Sequence, residues 1–352
     1  MISRILLLLL LLAVLGGCSS GGGEARTAPT ARPAVGTSSH SIKVLQSLPG
    51  RLLYVRDNQI WVHQGDDARP LQIEGPARDP AWSSDGRRIA YIRRDESFSD
   101  LYILDQATGK TTQVTFNGRS DAKPRSRPYV HQVIWAAKPA WSPEDDEIIF
   151  LSQEQGATTE DAQPPIYEYP LSLYRFPTAL FGAREPLNSD MLQVGQQNSD
   201  ILSPAWSPDG RYLAYVEAPR DTTPRRIMLY DFTTEQAGRY PGIPDGAYDP
   251  AWSPDSSQLA FAAPQDGATD IWTIAAPPSN GTPRRVTNVG RARAPAWSPD
   301  GRSLAFLNIG DESTDVFVVN FTDDASRLTP GEPVAATEGA HIDATAGLSW
   351  TR

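Results

Sequence analysis

The sequence predicts an all-β protein, a six-bladed β-propeller whose blades are four-stranded antiparallel sheets. Three observations carry this prediction: a repeated Pro-Ala-Trp-Ser-Pro-Asp-Gly motif, a β-rich run after each copy, and a spacing of about 45 residues between the most closely spaced copies. Four strands in about 45 residues are typical of a propeller blade. The motif tryptophans are Trp82, Trp141, Trp206, Trp252 and Trp297, and a degenerate sixth copy ends at Trp350.

Each copy of the motif predicts one strand and the turn that follows it. In Ser-Pro-Asp-Gly, Pro presets φ, Asp bonds to its own backbone and Gly accepts a positive φ. The β-rich run after the turn, such as 211–216, predicts a second strand, and runs such as 100–104 and 270–274 predict a third. We therefore expect the tryptophans to pack as core between blades and the motif aspartates to shape turns. Fourth strands are predicted at 111–115, 284–287 and 326–329, and the motif aspartates are Asp85, Asp209, Asp255 and Asp300.

The two ends of the repeat region predict how the ring closes. The copy that ends at Trp350 supplies a first strand with no blade after it, whereas residues 51–55, 59–63 and 70–73 supply three strands with no motif strand before them. We therefore expect the C-terminal strand to join the N-terminal blade, which leaves no open sheet edge at the seam.

The N-terminal residues predict export and a lipid anchor. Residues 5–15 form an apolar run of 11 residues behind one positive charge, which is shorter than the roughly 20 residues that cross a bilayer and fits a signal peptide. Leu15-Gly16-Gly17-Cys18 resembles the lipobox of bacterial lipoproteins, in which the cysteine is lipidated and becomes the mature N-terminus. An ordinary cleaved signal and an uncleaved anchor are the alternatives.

These features divide the chain into three parts. Residues 1–17 are the predicted signal peptide, residues 18–47 the lipidated cysteine and a flexible Gly/Ser/Thr/Pro tether, and residues 48–352 the propeller. The predicted location is the extracytoplasmic face of the bacterial cell membrane, which faces the periplasm if an outer membrane exists. Membrane contact is expected through the lipid on Cys18.

Composition excludes several classes of protein. A formal net charge of −10 argues against a nucleic-acid-binding protein, because phosphate affinity needs concentrated Lys and Arg. Cys18 is the only cysteine, so no intramolecular disulfide is possible. No cofactor is expected, and a closed ring without a free strand edge predicts a monomer.

The repeated Pro-Ala-Trp-Ser-Pro-Asp-Gly-x-x-Leu-Ala-Tyr pattern resembles the TolB-like (PD40) propeller repeat family over about residues 48–352. The resemblance implies the propeller fold and leaves several functions open: binding of protein partners, envelope lipoproteins, the propellers of prolyl oligopeptidase-type enzymes, and oligogalacturonate lyases. The sequence has no Gly-x-Ser-x-Gly nucleophile elbow and only four histidines, whereas the resemblance implies a His-rich metal site in a lyase. We therefore expect no enzyme, no catalytic residue and no metal site.

Long connections predict where a partner binds. Residues 117–138 are basic and aromatic in an acidic protein, and 153–170 and 329–345 lengthen two further loops that propeller wiring places on the same face. Long loops on a rigid scaffold commonly bind partners, and Tyr, Trp and Arg dominate interface energies; the alternative is insertions without a function. The candidate partner-binding residues are Arg125, Arg127, Tyr129, His131, Trp135, Tyr167, Tyr169 and His341.

Two functions of different classes remain. The first is a membrane-tethered, non-catalytic propeller that binds a protein or glycan of the cell envelope on this face. The alternative is a metal-assisted polysaccharide lyase, or another carbohydrate-active enzyme, with His131, His341 and Asp343 near the mouth of the channel. A bound metal would distinguish the second function from the first.

Overall fold

The computed structural model describes residues 42–352, except 97, 119–133, 154–156, 160–165, 169, 182–189, 196–198, 222, 280 and 325–326. The predicted signal peptide over 1–17 and the predicted lipidation site at Cys18 lie outside the described residues. Within the described ranges the secondary structure is 29 strands and one 3-10 turn, Thr178–Leu180. That part of the chain contains no helix whose length and hydropathy would let it span a bilayer.

The first three blades follow the predicted order, with each strand antiparallel to its neighbours. The first blade contains β2 (Leu48–Arg56), β3 (Gln59–Gly65) and β4 (Asp67–Pro70). The second contains β5 (Ala77–Trp82), β6 (Arg88–Arg94), β7 (Ser99–Asp105) and β8 (Thr111–Gln113). The third contains β9 (Ala136–Trp141), β10 (Glu147–Ser152), β13 (Ser172–Pro177) and β14 (Asp190–Leu192), with a hairpin of β11 (Ala157–Thr159) and β12 (Ile166–Glu168) between its second and third strands.

The remaining three blades repeat the same arrangement. The fourth contains β15 (Ser199–Trp206), β16 (Tyr212–Pro219), β17 (Arg226–Asp231) and β18 (Gln236–Arg239). The fifth contains β19 (Tyr248–Trp252), β20 (Gln258–Gln265), β21 (Ala268–Ala275) and β22 (Arg284–Arg285). The sixth begins with β23 (Ala292–Trp297), β24 (Ser303–Ile309) and β25 (Thr314–Asp324).

The outer edge of the sixth blade differs from the prediction of a fourth strand at 326–329. The pairing of β24 with β25 ends where Ser303 lies opposite Asn320, so the last residues of β25 have no partner in β24. They pair instead with β26 (Arg327–Pro330) as a separate hairpin. The position of the fourth strand is taken by β27 (Val334–Ala335), which pairs with the first half of β25.

The ring closes as predicted. The innermost strand of the first blade is β29 (Ser349–Thr351), which pairs with β2 from Arg51 opposite Thr351 to Leu53 opposite Ser349. The guanidinium of Arg51 also donates to the carbonyl of Arg352 over 3.0 Å. The six-bladed, self-closed propeller predicted from the repeats is therefore confirmed.

A second link joins the N-terminal residues to the sixth blade. The short strand β1 (Lys43–Val44) pairs with β28 (Thr337–Glu338), and the amide of Leu45 donates to the carbonyl of Ala336. Ile42, just before β1, is buried in the same core cluster as Leu52. The described fold thus includes residues that precede the predicted start at Leu48.

The motif tryptophans lie between neighbouring blades. Trp141 is buried among side chains of the second and third blades, and its indole N–H donates over 3.1 Å to the carbonyl of Ala81 in the blade before it. A buried indole needs a hydrogen-bond partner for its N–H. The bond therefore orients the Trp141 ring toward the blade before it, in addition to the apolar packing between the two blades. Equivalent bonds run from Trp252 to Ala205 and from Trp297 to Ala251.

The motif aspartates shape the turns. Asp300 accepts hydrogen bonds from the hydroxyl of Ser298 over 2.6 Å and from the amide of Arg302 over 3.0 Å, and these bonds lower the pKa of its carboxyl group. The hydroxyl of Ser298 also accepts from the amide of Ser303, which fixes both sides of the turn. The same Ser–Asp pair occurs at Asp85, Asp209 and Asp255.

A second repeated device, which the sequence analysis did not single out, fastens the outer strand of three blades. We call it the aspartate clasp. An Asp near the start of the third strand, buried in two of the three blades, accepts a hydrogen bond from a Thr hydroxyl and another from an amide in the connection to the next blade, while the Thr oxygen accepts from the amide that follows the Asp. The pairs are Thr115 with Asp100 at 2.9 Å, Thr287 with Asp270 at 2.8 Å and Thr337 with Asp315 at 2.9 Å.

The clasps differ in the charge beside the carboxylate. Asp270 also accepts from the guanidinium of Arg285, whereas Asp100 accepts from the neutral amide of Gln113. Burial raises the pKa of both carboxyl groups, but at Asp270 the bonds from Arg285, Thr287 and the backbone outweigh burial and the net pKa is lowered. At Asp100 burial dominates and the pKa is raised.

The seam supplies a matched pair of glycine substitutions. Both Gly50 and Gly267 have left-handed φ, of 72° and 80°, but a Cβ on Gly50 would lie 2.1 Å from the carbonyl oxygen of Thr351, whereas one on Gly267 meets nothing within 4 Å. We expect Gly267→Ala to lower the free energy of unfolding by about 1 kcal/mol, through the left-handed backbone alone. Gly50→Ala should cost roughly 1–3 kcal/mol more, because the clash displaces β29. Urea unfolding measures both, and equal losses would contradict this account of the seam.

The clasps predict opposite pH dependences. Stabilisation by Asp270 is present above the unfolded pKa of about 3.9 and is lost as the pH falls through the lowered folded pKa, so Asp270→Asn should cost more stability at pH 7 than at about pH 3. Asp100 has a folded pKa above its unfolded value, so its contribution is present at low pH and lost as the pH rises. The cost of Asp100→Asn should therefore shrink as the pH rises. Unfolding by urea at a series of pH values gives both slopes; two slopes of the same sign would refute the assignment.

Candidate functional site

The first strands of all six blades surround a central channel. The cavity within it has a volume of about 270 Å³ and is lined by residues from every blade, including the seam segment 346–349. The motif that builds the fold therefore also builds the wall of this cavity. Residues that differ between copies of the motif determine its chemistry.

Five of the six first strands carry a bulge where they line the channel: β5, β9, β15, β19 and β23. In the second blade, for example, pairing skips from Arg78 to Ala81, and the first of the two residues between them, Asp79, is left-handed. The next residue is Pro80, which has no N–H, so the interrupted ladder leaves no unpaired donor there. The left-handed residues are Asp79, Lys138, Ser203, Asp249, Ala294 and Gly347, with φ of 50°, 47°, 46°, 51°, 51° and 84°.

This ring of left-handed residues is a strained arrangement that the fold imposes. A non-glycine residue pays about 1–2 kcal/mol for the left-handed region, and a following Pro restricts it further. Strain of this kind persists only where the surrounding structure determines it and is commonly found at functional sites. The backbone is thus constant around the ring, while the side chains it presents to the cavity are free to differ.

Two carboxylates of the ring are paired with cations. Asp79 is 5% exposed and lies 2.9 Å from the ammonium of Lys138. Asp249 accepts two hydrogen bonds from the guanidinium of Arg293, at 3.1 and 3.0 Å, and a third from the hydroxyl of Ser203 at 3.2 Å. A buried charge is tolerated when it is paired in this way. The two aspartates belong to the second and fifth blades, which lie opposite each other in a ring of six.

The connection into β29 is held by charges of the second and third blades. Arg78 donates to the hydroxyl of Thr345 over 2.8 Å and lies 3.6 Å from Asp343, and Lys138 donates to the carbonyl of Thr345. Partial burial alone would raise the pKa of Asp343, but hydrogen bonds from Thr345 and the charges of Arg78 and Lys138 outweigh it and the net pKa is lowered. Asp343 is therefore ionised at neutral pH.

A groove of about 380 Å³ adjoins the channel mouth and shares Asp79 and Lys138 with it. Its rim carries Arg78, Arg94 and Lys138, and the guanidinium carbon of Arg94 lies 5.0 Å from the centre of the Trp135 ring. The floor is apolar and comes from the second, third and fourth blades. The floor residues are Ile92, Ala136, Ala137, Leu151, Leu171 and Leu202.

The structure brings one predicted partner-binding residue into this groove. Trp135 lines it, whereas Arg125, Arg127, Tyr129, His131 and Tyr169 lie outside the described residues. Tyr167 is in β12, where its backbone pairs with Thr158. His341 is exposed, with a left-handed φ of 50°, on the connection that leads to β29.

No donor set for a metal ion is formed by the part of the chain that is described: no group of three or more His, Cys, Asp or Glu side chains there could hold one. Asp343, which the lyase alternative needs, is engaged by Thr345 and Arg78 instead. His131, its other predicted partner, lies outside the described residues.

The cations on the rim and the charged residues of the ring were not predicted from the sequence. A signal for the ring exists: the residue before each Pro-Ala-Trp is Asp, Lys, Ser, Asp and Ala in successive copies, the variable position of a repeated motif. Arg94 gives no such signal, because it approaches Trp135 from a different blade, 41 residues earlier in the chain.

Comparison with known sequences finds two kinds of relative. Residues 187–338 match the TolB beta propeller domain, and residues 66–170 match the dipeptidyl peptidase IV (DPP IV) N-terminal region. The chain is also 30% identical over 177 residues to the uncharacterized peptidase YuxL of Bacillus subtilis (strain 168), a match that covers 45% of this chain and 25% of the relative. The chain thus matches about a quarter of the length of that protein.

Solved structures share the fold at low identity. TolB from Acinetobacter baumannii superimposes with a TM-score of 0.60 at 15% identity, over 87% of this chain and 67% of that one. A putative TolB from Agrobacterium tumefaciens gives 0.52 at 17% identity, over 82% and 90% of the two chains. A puromycin-hydrolyzing peptidase of Mycobacterium tuberculosis gives 0.51 at 16% identity, over 82% and 46%.

These matches correct one prediction. The expectation that the chain is not an enzyme is wrong, because a protein named as a peptidase is similar to it at 30% identity and residues 66–170 match a region of DPP IV. That expectation relied on the missing nucleophile elbow, which is a feature of an α/β-hydrolase sheet and not of propeller repeats. Its absence from these blades therefore did not test a relationship to peptidases. Fold and repeats together show a TolB-like β-propeller, and the proteins it is similar to include one named as a peptidase.

Proposed function

We propose that this propeller binds polypeptide at the channel mouth and the adjoining groove, as the recognition part of a peptidase-type protein. The observation that carries the proposal is the continuity of the two hollows: an apolar floor from three blades leads directly to the charged ring at Asp79 and Lys138. An extended polypeptide offers apolar side chains to such a floor and amide groups to such a ring.

The chemistry of the groove favours a polypeptide over a glycan. Its floor is made of aliphatic side chains, and Trp135 is the single aromatic residue among those that line it in the described structure. A sugar presents hydroxyl groups on most of its surface, and aliphatic walls would strip these of water without replacing the hydrogen bonds. Similarity to a peptidase supports the same ligand class, because polypeptides are what peptidases act on.

We also propose that the propeller is held at the extracytoplasmic face of the membrane by lipid on Cys18. The support is the sequence Leu15-Gly16-Gly17-Cys18 behind an apolar run of 11 residues. A lipid anchor followed by a flexible tether would leave the channel mouth free to meet polypeptides outside the cytoplasm.

Blocking the groove tests polypeptide binding. Ala137 lies on the groove floor, whereas Ala237 is an exposed residue of the outer strand of the fourth blade. With a library of decapeptides blocked at both ends, we expect Ala137→Phe to weaken binding by at least about tenfold, which corresponds to about 1.4 kcal/mol. Ala237→Phe introduces the same side chain elsewhere and should bind as the wild type does. Binding that is undetectable in the wild type, or unchanged by Ala137→Phe in a folded protein, would overturn the proposal.

Lipid labelling tests the anchor. Cells that express the full chain should incorporate labelled palmitate into the protein, and Cys18→Ser should abolish the incorporation because no other cysteine is present. Ser19→Ala, a change beside the modified residue, should leave the label in place. A wild-type protein without label would show that Cys18 is not an anchor.

A further inference from the structure

We propose that Arg94, stacked on Trp135 at the rim of the groove, binds the C-terminal carboxylate of a polypeptide whose last side chain is apolar. The proposal rests on the proposed function, polypeptide binding at this groove, and names the part of the ligand that is recognised. It follows from three features of the described structure: the fixed position of Trp135, the unpaired charge of Arg94 and the apolar floor directly below them.

Trp135 is held in place by the second blade. The hydroxyl of Ser99, which is 2% exposed, donates to the carbonyl of Ala136 over 2.7 Å and accepts from the amide of the same residue over 2.9 Å. The amide of Ser99 donates to the carbonyl of Ile134. The residues on both sides of Trp135 are therefore bonded to one buried residue, Ser99, through its side chain on one side and its backbone on the other, and the backbone that carries Trp135 does not have to be ordered when a ligand arrives.

Arg94 is positioned by the same strands. Its backbone lies opposite Ser99 in the pairing of β6 with β7, and its guanidinium lies 5.0 Å from the centre of the Trp135 ring. A guanidinium that lies over an aromatic face keeps its N–H groups directed sideways and not into the ring. Two of them can then donate parallel hydrogen bonds to a carboxylate. Stacking thus orients Arg94 without using its donors.

Arg94 differs from the other two cations of the rim in its pairing. Lys138 lies 2.9 Å from Asp79, and Arg78 lies 3.7 Å from Asp79 and 3.6 Å from Asp343. No ion pair of Arg94 is formed with any carboxylate in the described ranges. Among the three cations of the rim, Arg94 is thus the one without an ion-pair partner in the described ranges.

The apolar floor favours the C-terminal carboxylate of a chain over the carboxylate of an Asp or Glu side chain as the group that Arg94 binds. A terminal residue carries its carboxylate and its side chain on one Cα, so the carboxylate can meet Arg94 while an apolar side chain enters the adjoining floor. An Asp or Glu within a chain carries its carboxylate on a polar side chain and has backbone on both sides, and it brings no apolar group to the same place. The groove volume of about 380 Å³ accommodates the terminal side chain and its neighbour.

A pair of peptides that differ only at the terminus tests the proposal. The probes are a dye-labelled Gly-Ser-Gly-Ser-Leu with a free carboxylate and the same peptide as its amide, and binding to the full chain is measured by fluorescence anisotropy. We expect the acid to bind at least about tenfold more tightly than the amide. Arg94→Gln removes the charge but keeps hydrogen-bond donors, and should bring the ratio close to one. Arg87→Gln, at a side chain that is 82% exposed in the turn after the first strand of the same blade, should keep the ratio.

The outcomes separate this proposal from the one it rests on. If acid and amide bind the wild type equally, or if Arg94→Gln keeps the preference for the acid, recognition of the terminus is overturned. Polypeptide binding still stands if Ala137→Phe weakens both peptides, and it falls as well if neither peptide binds the wild type. Ser99→Ala is a second variant, which removes the two hydroxyl bonds to Ala136, and a reduced acid-to-amide ratio there would support Ser99 as a positioning residue.

Discussion

The pairing of β29 with β2 is the contact on which the ring depends. Closing a loop of about 300 residues costs on the order of 5 kcal/mol in chain entropy, and three residue pairs do not offset that alone. The other blades make it possible, because each motif tryptophan packs against the blade before it and so brings the two ends together step by step. The closing strand then removes the exposed edges that an open stack of blades would present.

The same first strands combine two demands that usually conflict. As core, they need a uniform backbone, which the bulge at Pro-Ala-Trp supplies in the five blades that carry this motif. As the wall of a cavity, they need residues that differ, which the position before Pro supplies. Because pairing and packing on both sides hold the backbone at this position, its residue type differs from blade to blade within one closed ring. The same fold can therefore present different side chains to its channel, and solved structures that share the fold include both TolB and a peptidase.

Most of the fold could be predicted from the sequence, because the same strand-and-turn motif recurs in successive blades and each copy indicates the same local structure. The closure by Trp350 could be predicted for the same reason. The outer edge of the sixth blade could not, since it depends on how far β24 extends along β25 and not on any local signal. The groove was beyond reach because it forms where Arg94, Trp135 and Leu202 meet from three blades. The prediction that the chain is not an enzyme was wrong for a different reason: it relied on the absence of a nucleophile elbow, which belongs to the α/β-hydrolase fold and not to propeller repeats.

The seam also affects how the protein is made. Arg51 bonds to a residue that is 301 positions further along the chain. At ordinary rates of synthesis the ribosome needs roughly 15 to 60 s to add those residues. During that interval the first blade has an unpaired inner edge, and an edge of that kind pairs readily with strands of other chains. The order of the blades thus makes the earliest part of the propeller the last to be completed, and sets a time during which a chaperone would be most useful.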